Sequence, residues 1–190
     1  MKKVFAVSAA IGVLCITASA TAAPVEWSTA SGGNGHWYEL VVSSSSLTWY
    51  EAKTAAEAKG GYLVTVTSQA ETDFIVSELG GEAIRLAWLG AYQDRNDPAY
   101  SEPSGGWKWI TGEPWVYTNW ESRSHEPNNV NDREEWMDFH GEPWTPGSWA
   151  DIPSDSPNHH KYVTEYVPEP GSALLVVIAS LGMVSGRWRT

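Results

Sequence analysis

The sequence predicts one α+β domain, and three observations support this fold class. Two segments begin with helix-capping patterns, and short runs typical of β-strands accompany them. The chain has 190 residues, of which 42% are hydrophobic and 12% aromatic. This length provides one packed core and is too short for two ordinary domains. The aromatic content excludes disorder for the bulk of the chain.

The first helix is predicted to begin at Thr48. Thr48 and Glu51 have the spacing of a capping box, in which each side chain bonds the backbone amide of the other residue. Residues 52–58 are rich in alanine, the best helix former, and the glycines at 60 and 61 end the helix. Residues 62–66 then predict a strand.

A second capping box, Ser68 with Glu71, predicts a second helix that ends at the glycines at 80 and 81. Apolar residues at 74, 75 and 79 lie within it. Residues 87–90 predict a short apolar strand, and residues 162–166 predict the last strand of the domain.

Residues 91–155 have no helical periodicity and are rich in turn formers, acids and tryptophan. A long irregular stretch in a compact domain is either functional or a sign of missed elements. Tryptophans could anchor such loops to the core, namely Trp107, Trp109, Trp115, Trp120, Trp136, Trp144 and Trp149. We expect Trp88, Trp107, Trp109 and Trp149 to be core residues rather than ligand contacts.

The N-terminal residues 1–22 have the order of a secretory signal peptide. A positive start precedes an apolar run over residues 4–16, and small residues at 18, 20 and 22 suit a signal peptidase. The only cysteine, Cys15, lies in this segment. The exported domain, over residues 24–166, therefore has no disulfide.

The C-terminal residues 167–190 have the pattern of a second targeting signal. A Pro168-Glu169-Pro170 spacer precedes an apolar segment over residues 173–184 and a basic end. The apolar segment is short for a stable span, which needs about 20 residues. The tail resembles the PEP-CTERM sorting signal of Gram-negative bacteria. This resemblance implies transient membrane association, recognition by an exosortase, and delivery to the cell surface or extracellular matrix.

The charge of the chain excludes one class of partner. The formal net charge is −11, and 4 of the 12 basic residues lie near the ends, at positions 2, 3, 187 and 189. Residues 24–166 hold the other 8 basic residues and 22 of the 23 acidic residues, the last being Glu169 in the tail, which gives 8 − 22 = −14. Such a domain repels phosphate backbones, so no nucleic-acid partner is expected. Metal cations and neutral ligands remain open.

Oxygen-bearing side chains gather in the second half of the chain. Glu126, Pro127 and Asn128 are followed by Glu134 and later by Asp151. This set has no sulfur and no paired histidine, so it suits Ca²⁺, which takes about 6–8 oxygen ligands, rather than zinc. A cis bond before Pro127 would turn both flanking side chains toward one ion.

An ordered series of motifs between about residues 36 and 166 resembles the C-type lectin-like domain. The series comprises Trp49-Tyr50-Glu51-Ala52, Gly61-Tyr62-Leu63-Val64, Trp88-Leu89-Gly90, Trp107-Lys108-Trp109, Thr111-Gly112, Asn119-Trp120, Glu126-Pro127-Asn128 and Trp149-Ala150-Asp151. The resemblance implies an α+β fold in which two helices flank antiparallel strands, with a long irregular calcium-binding loop region. It also implies a secreted, non-catalytic module that binds carbohydrate through calcium.

Carried over to this sequence, the resemblance gives Glu126, Asn128, Glu134 and Asp151 as ligands of Ca²⁺ and of the sugar. The Glu-Pro-Asn triplet goes with mannose-type sugars in this family. Two departures stand out: Ala150 replaces the usual asparagine, and the paired cysteines are absent, with Trp136 where one is expected. A second ion site is expected from Asp94, Glu102, Asn129 and Glu135.

Two other functions stay open at this point. The first is a structural or protein-binding surface module, which would have the same fold but would not bind sugar. Ala150 favours this hypothesis because it replaces the usual asparagine. A glycosidase would use two carboxylates, for which Glu126 and Glu134 are the candidates. No nucleophile motif supports an enzyme, so a non-catalytic protein is expected.

Overall fold

The computed structural model describes residues 23–140 and 145–168. The predicted signal peptide with Cys15, Trp144 and nearly all of the predicted sorting tail lie outside the described residues. Within the described ranges, no helix has both the length and the apolar character needed to cross a membrane.

The first helix, α1, spans Trp49–Ala58 and confirms the predicted capping box. Thr48 Oγ1 accepts a hydrogen bond from the Glu51 amide at 3.2 Å, and Glu51 Oε2 accepts one from the Thr48 amide at 2.8 Å. The helix ends at Ala58, two residues before Gly60, whose φ of +84° is a left-handed conformation that glycine adopts readily.

The second helix, α2, spans Gln69–Leu79, but its predicted capping box is only half formed. Ser68 Oγ accepts from the Glu71 amide at 3.2 Å. The Glu71 carboxylate instead turns inward, where it accepts from the Thr67 amide at 2.7 Å and from the Tyr38 hydroxyl at 2.6 Å. The reciprocal bond is lost because a strand partner distant in sequence competes for the same carboxylate.

Among the described residues, eight strands form one mixed sheet. They are β1 (Val25–Glu26), β2 (Trp37–Val42), β3 (Tyr62–Leu63), β4 (Ala87–Gln93), β5 (Trp107–Trp109), β6 (Trp136–Phe139), β7 (Trp149–Ile152) and β8 (Lys161–Tyr166). The order is β1-β2-β8-β4-β6-β7, with β3 beside β8 and β5 beside β4. Pairing is antiparallel except between β4 and β8. The predicted class of two helices with a largely antiparallel sheet is therefore confirmed.

Strand boundaries differ from the sequence prediction at three places. The predicted strand over residues 62–66 stops at Leu63, because the Thr65 amide donates to the Glu165 carboxylate at 3.1 Å rather than to a ladder carbonyl. β4 continues past residue 90 to Gln93, where β5 pairs with it. The stretch 91–155 contains β5, β6 and β7, whose three or four residues are too short to show alternation.

Tryptophan packing holds the loop region to the sheet, as predicted. Trp88 and Trp149 are fully buried, and Trp107 and Trp109 are nearly so. Trp115 lies inward, with its ring centroid 4.7 Å from that of Trp109 and 6.0 Å from that of Trp149. The irregular region is therefore fixed by aromatic contacts where it lacks regular secondary structure.

Candidate functional site

The predicted oxygen ligands lie on the loop between β5 and β6 and on β7. The peptide bond between Glu126 and Pro127 is cis. The side chains on either side of the proline meet, since Asn128 Nδ2 donates to Glu126 Oε1 at 3.0 Å. The structure thus brings these two predicted ligands into direct contact.

Asp151 connects the loop to the sheet. Its two carboxylate oxygens accept hydrogen bonds of 2.8 Å from the backbone amides of Asn128 and Asn129. Asp151 is 2% exposed and lies on β7 opposite Met137 of β6. The most buried ligand candidate therefore fixes the loop backbone beside Pro127.

Glu134 and Asn129 complete this group. Glu134 Oε2 accepts from the Val130 amide at 2.6 Å, and the Glu134 amide donates to Asn129 Oδ1 at 3.1 Å. Asn129 has a left-handed backbone with φ of +47°. The sequence placed Asn129 in a second ion site, whereas the structure puts it beside Glu134 and Asp151.

The surroundings of Glu126 and Glu134 disfavour the charged form of both side chains. Burial, and then the neighbouring Asp151 and Glu134 carboxylates, raise the pKa of Glu126 to about 8. Burial raises the pKa of Glu134 to about 7, with Asp151 and Asp138 adding to the shift. A divalent cation among these groups would replace this repulsion by attraction.

The residues present fit a calcium ion in their chemistry. All the donors are hard oxygens, which Ca²⁺ prefers. The buried Oε2 of Glu126 has no hydrogen-bond partner within the described part of the chain. In residues 23–140 and 145–168, however, no three acidic, histidine or cysteine side chains already converge on one metal-sized centre. Asp151 and Glu134 both point oxygens at backbone amides, so the ligand set is assembled only in part.

The predicted second ion set is divided among other partners. Asp94 pairs with Lys108 at 2.7 Å, and Glu135 forms an ion pair with Arg95. Glu102 accepts from the Tyr100 hydroxyl. With Asn129 in the first group, the structure does not bring these four side chains together.

Position 150 lacks the amide that the resemblance leads one to expect. Ala150 is 3% exposed and pairs with Asp138 across β6 and β7. Asp138 Oδ2 in turn lies 2.9 Å from His159 Nε2, where the carboxylate accepts from the imidazole N–H in the tautomer that carries the proton on Nε2. No side-chain oxygen at position 150 is available to an ion.

The sequence did not indicate a role for Glu121, whose buried carboxylate binds the backbone of this loop region. Glu121 is 1% exposed, and its carboxylate accepts from the Arg123 amide, the Thr145 amide and the Ser148 hydroxyl, each at 2.9 Å. Burial opposes ionisation, but these hydrogen bonds prevail and lower the pKa of Glu121. A single glutamate after Trp120 gives no sequence signal for this role.

The family profile for the Lectin C-type domain matches residues 45–163. This match covers more than half of the sequence, so the chain belongs to the C-type lectin domain family. The domain is a non-catalytic fold of two helices and a mixed sheet, and domains of this family are typically extracellular.

Several characterised proteins share this domain. The rabbit (Oryctolagus cuniculus) secretory phospholipase A2 receptor is 36% identical over 84 residues, which are 44% of this chain and 5% of the receptor. Halomucin of Haloquadratum walsbyi is 37% identical over 108 residues, 50% of this chain and 1% of halomucin. Human C-type lectin domain family 10 member A is 26% identical over 144 residues, 73% of this chain and 39% of that protein. The match thus spans only a minor part of each relative.

Solved structures show the same fold. The carbohydrate-recognition domain of cow CD23, determined in the presence of GlcNAc2Man3 oligosaccharide, has a TM-score of 0.56 at 23% identity, covering 72% of this chain and 91% of that chain. The C-type lectin domain of murine dendritic cell inhibitory receptor 2, in complex with N-glycan, has a TM-score of 0.53 at 27% identity, covering 70% and 91%. A calcium-independent type II antifreeze protein has a TM-score of 0.53 at 20% identity, covering 78% and 97%.

Proposed function

We propose that this protein is a secreted or cell-surface module that binds carbohydrate in a calcium-dependent manner, without catalysis. The observation that carries the proposal is the grouping of Glu126, Glu134 and Asp151 beside the cis Pro127 bond. Two buried carboxylates, of Glu134 and Asp151, beside the half-buried carboxylate of Glu126 are costly in the absence of a cation. We therefore propose Ca²⁺ as the cofactor.

The ligands proposed for the ion are Glu126, Asn128, Glu134 and Asp151. Bound calcium supplies a centre to which adjacent sugar hydroxyls can coordinate. The carboxylates accept hydrogen bonds from those hydroxyls, and the Asn128 amide donates one. The contact between Asn128 and Glu126 at 3.0 Å holds donor and acceptor side by side, as recognition of two neighbouring hydroxyls requires.

A single ion is proposed. Asp94 and Glu135, which the sequence assigned to a second site, already have Lys108 and Arg95 as partners. Recruiting them would cost those ion pairs. Asn129 is proposed instead to support the first site through its contact with Glu134.

A mannose-type sugar is the proposed ligand. The proposal rests on the triplet Glu126, Pro127 and Asn128 and on the resemblance that goes with it. The murine dendritic cell receptor domain, 27% identical to this chain, was solved with an N-glycan, which supports a glycan partner.

Export and surface delivery are also proposed. Residues 1–22 would direct export, and residues 167–190 would associate transiently with the membrane until an exosortase processes them. The protein would then reside on the cell surface or in the extracellular matrix of a Gram-negative-type bacterium.

The test is retention of the full-length protein on mannose-coupled resin, with Ca²⁺ and with a chelator. We expect retention in Ca²⁺, elution by chelator, and loss of retention in Glu126→Gln. Glu78→Gln, which neutralises an exposed acid on α2, is the matched control and should behave as wild type. Equal retention of wild type and Glu126→Gln would refute the proposal.

Ala150 favours a second candidate, a structural or protein-binding module in which calcium, if bound, only orders loops. The calcium-independent antifreeze protein shows that the fold does not require the ion. A rise in melting temperature with Ca²⁺ but no retention on any neutral sugar resin would support this alternative.

A further inference from the structure

A groove lined by aromatic side chains lies between α1 and the strands β4 and β6. Its walls include Trp49, Tyr50, Lys53, Tyr92, Glu135 and Trp136, and its volume is about 420 Å³. Small-molecule sites typically enclose about 300–1,000 Å³ and combine apolar walls with a few polar groups. We call this feature the aromatic groove, and none of the proposed calcium ligands lines it.

The aromatic walls are held rigidly. Trp49 is 4% exposed, and its indole Nε1 donates to the Leu89 carbonyl at 2.8 Å. Tyr50 packs edge-on against it, with ring centroids 5.4 Å apart and an interplanar angle of 88°. Trp136 contacts Tyr50 on the other side, with centroids 5.6 Å apart. A buried indole thus supports an outer wall of tyrosine and tryptophan.

The outer wall is open to solvent. Tyr50 is 57% exposed, although it stands at the start of a well-capped helix and packs on two indoles. Nothing in the fold requires an aromatic side chain at an exposed helical position, and tyrosine is a poorer helix former than alanine. An exposed ring that packs on the buried indole of Trp49 is suited to stacking on a ligand.

The polar rim of the groove is charged but balanced. Lys53 pairs with Glu57 on α1, and Glu135 pairs with Arg95. The groove itself is lined by one ammonium group, of Lys53, and one carboxylate, of Glu135, so its lining has no net charge. Lys53 disfavours a cationic ligand and Glu135 an anionic one, so a neutral ligand fits best.

A pyranose ring meets these conditions. One face of the ring presents C–H groups that can lie on Tyr50 or Trp136, and its hydroxyls can accept from Lys53 and donate to Glu135. A purely apolar ligand would leave the rim's donors and acceptors unmatched, which costs binding energy.

We propose that the aromatic groove is a second carbohydrate site, which stacks a neutral pyranose without calcium. The inference shares its ligand class with the proposed function but needs no ion. Trp136 follows the proposed ligand Glu134 by two residues, a separation of about 7 Å along an extended chain. The groove and the calcium ligands are therefore neighbours along the chain.

The test is saturation-transfer NMR on the full-length protein in chelator. The probes are mannopentaose, cellopentaose and a galactan pentaose. We expect at least one to bind, with transfer from aromatic protons to sugar C–H groups. Tyr50→Leu and Trp136→Leu, which keep apolar bulk, should each weaken that binding at least fivefold. Trp37→Leu, an exposed tryptophan on β2 outside the groove, is the matched control.

Two results would overturn the inference. One is that no pentaose binds wild type in chelator. The other is that binding persists at wild-type strength in both Tyr50→Leu and Trp136→Leu. The proposed calcium site is judged separately, from the additional binding that Ca²⁺ brings to wild type. If wild type binds a pentaose in chelator and Ca²⁺ adds no further binding, the proposed function alone is refuted.

Discussion

The carboxylate of Asp151 accepts a hydrogen bond of 2.8 Å from the backbone amide of Asn129, and this bond joins strand β7 to the loop that carries the other candidate ligands. The neighbouring amide of Asn128 is bound in the same way by the other oxygen. The loop is therefore held to β7 by an acid that belongs to the proposed ion site. Asp151 has a structural role that does not depend on the ion.

Asp151→Asn should destabilise the protein even in chelator. The amide is neutral and has one acceptor oxygen, so one of the two backbone amides keeps only a neutral acceptor and the other loses its acceptor. Hydrogen bonds to charged groups contribute about 1.5–3 kcal/mol each. Urea unfolding in chelator should show a loss of this size. An unchanged midpoint would mean that the Asp151 contacts do not hold the loop.

Glu126→Gln should have the opposite effect in chelator. Above pH 8, where Glu126 is ionised in chelator, neutralising it removes its repulsion with Asp151 and Glu134, so the melting temperature should equal or exceed that of wild type. Ca²⁺ affinity should fall roughly tenfold or more, equivalent to at least about 1.4 kcal/mol. Calorimetric titration with Ca²⁺ and paired melts measure both quantities. A variant that is less stable in chelator and equally tight for Ca²⁺ would contradict the electrostatic account.

Trp149→Ala should cost about 3–5 kcal/mol, the range for removing a large buried ring. Trp149 is fully buried and contacts the rings of Trp109, Trp115 and Trp120. Urea denaturation measures the loss of stability in Trp149→Ala. Trp37→Ala, which removes an exposed indole, is the control and should lose much less. Similar midpoints for the two variants would show that the tryptophan cluster does not anchor the loop region.

The pairing of His36 with Glu165 should make stability depend on pH. Nδ1 of His36 lies 2.6 Å from the Glu165 carboxylate, and this hydrogen bond raises the pKa of His36 despite partial burial. Glu71 and Glu113 also favour the charged imidazole. Because the folded-state pKa is raised, the stabilisation is complete below the usual histidine pKa and is lost as pH rises through the raised value.

Thermal melts of wild type and of His36→Gln in chelator, between pH 5.5 and 8.5, isolate the contribution of the His36–Glu165 pair. Other carboxylates that titrate in the window are common to both proteins and cancel in the difference. The advantage of wild type over His36→Gln should shrink as pH rises. An advantage that is constant or grows with pH would contradict the assignment.

Local patterns gave the first helix, the family and the types of the candidate ligands. Thr48 and Glu51 cap each other because both partners lie within one turn, so no distant residue is needed to form the bond. Trp88 and Trp149 were assigned to the core because large aromatic side chains gain most from burial. The order of the motifs along the chain placed Glu126, Asn128, Glu134 and Asp151 in one group.

Contacts between residues distant in sequence could not be predicted in this way. Glu71 has the spacing of a cap, yet its carboxylate bonds Tyr38 of β2, because the sheet brings that hydroxyl within 2.6 Å. Asp94 forms an ion pair with Lys108, and Glu135 forms one with Arg95. Both pairs depend on β4, β5 and β6 lying side by side in the sheet.

The sequence by itself determined the fold family, the capped start of α1 and the chemical nature of the donors. The tertiary structure decided which donors meet. It joined Asn129 to Glu134 and Asp151, and it brought Tyr50 and Trp136 into contact at one groove. It also gave Asp94, Glu102 and Glu135 other partners. The physical reason is that hydrogen bonds within a helical turn depend on neighbours in the chain, whereas partners across a sheet depend on strand order and register.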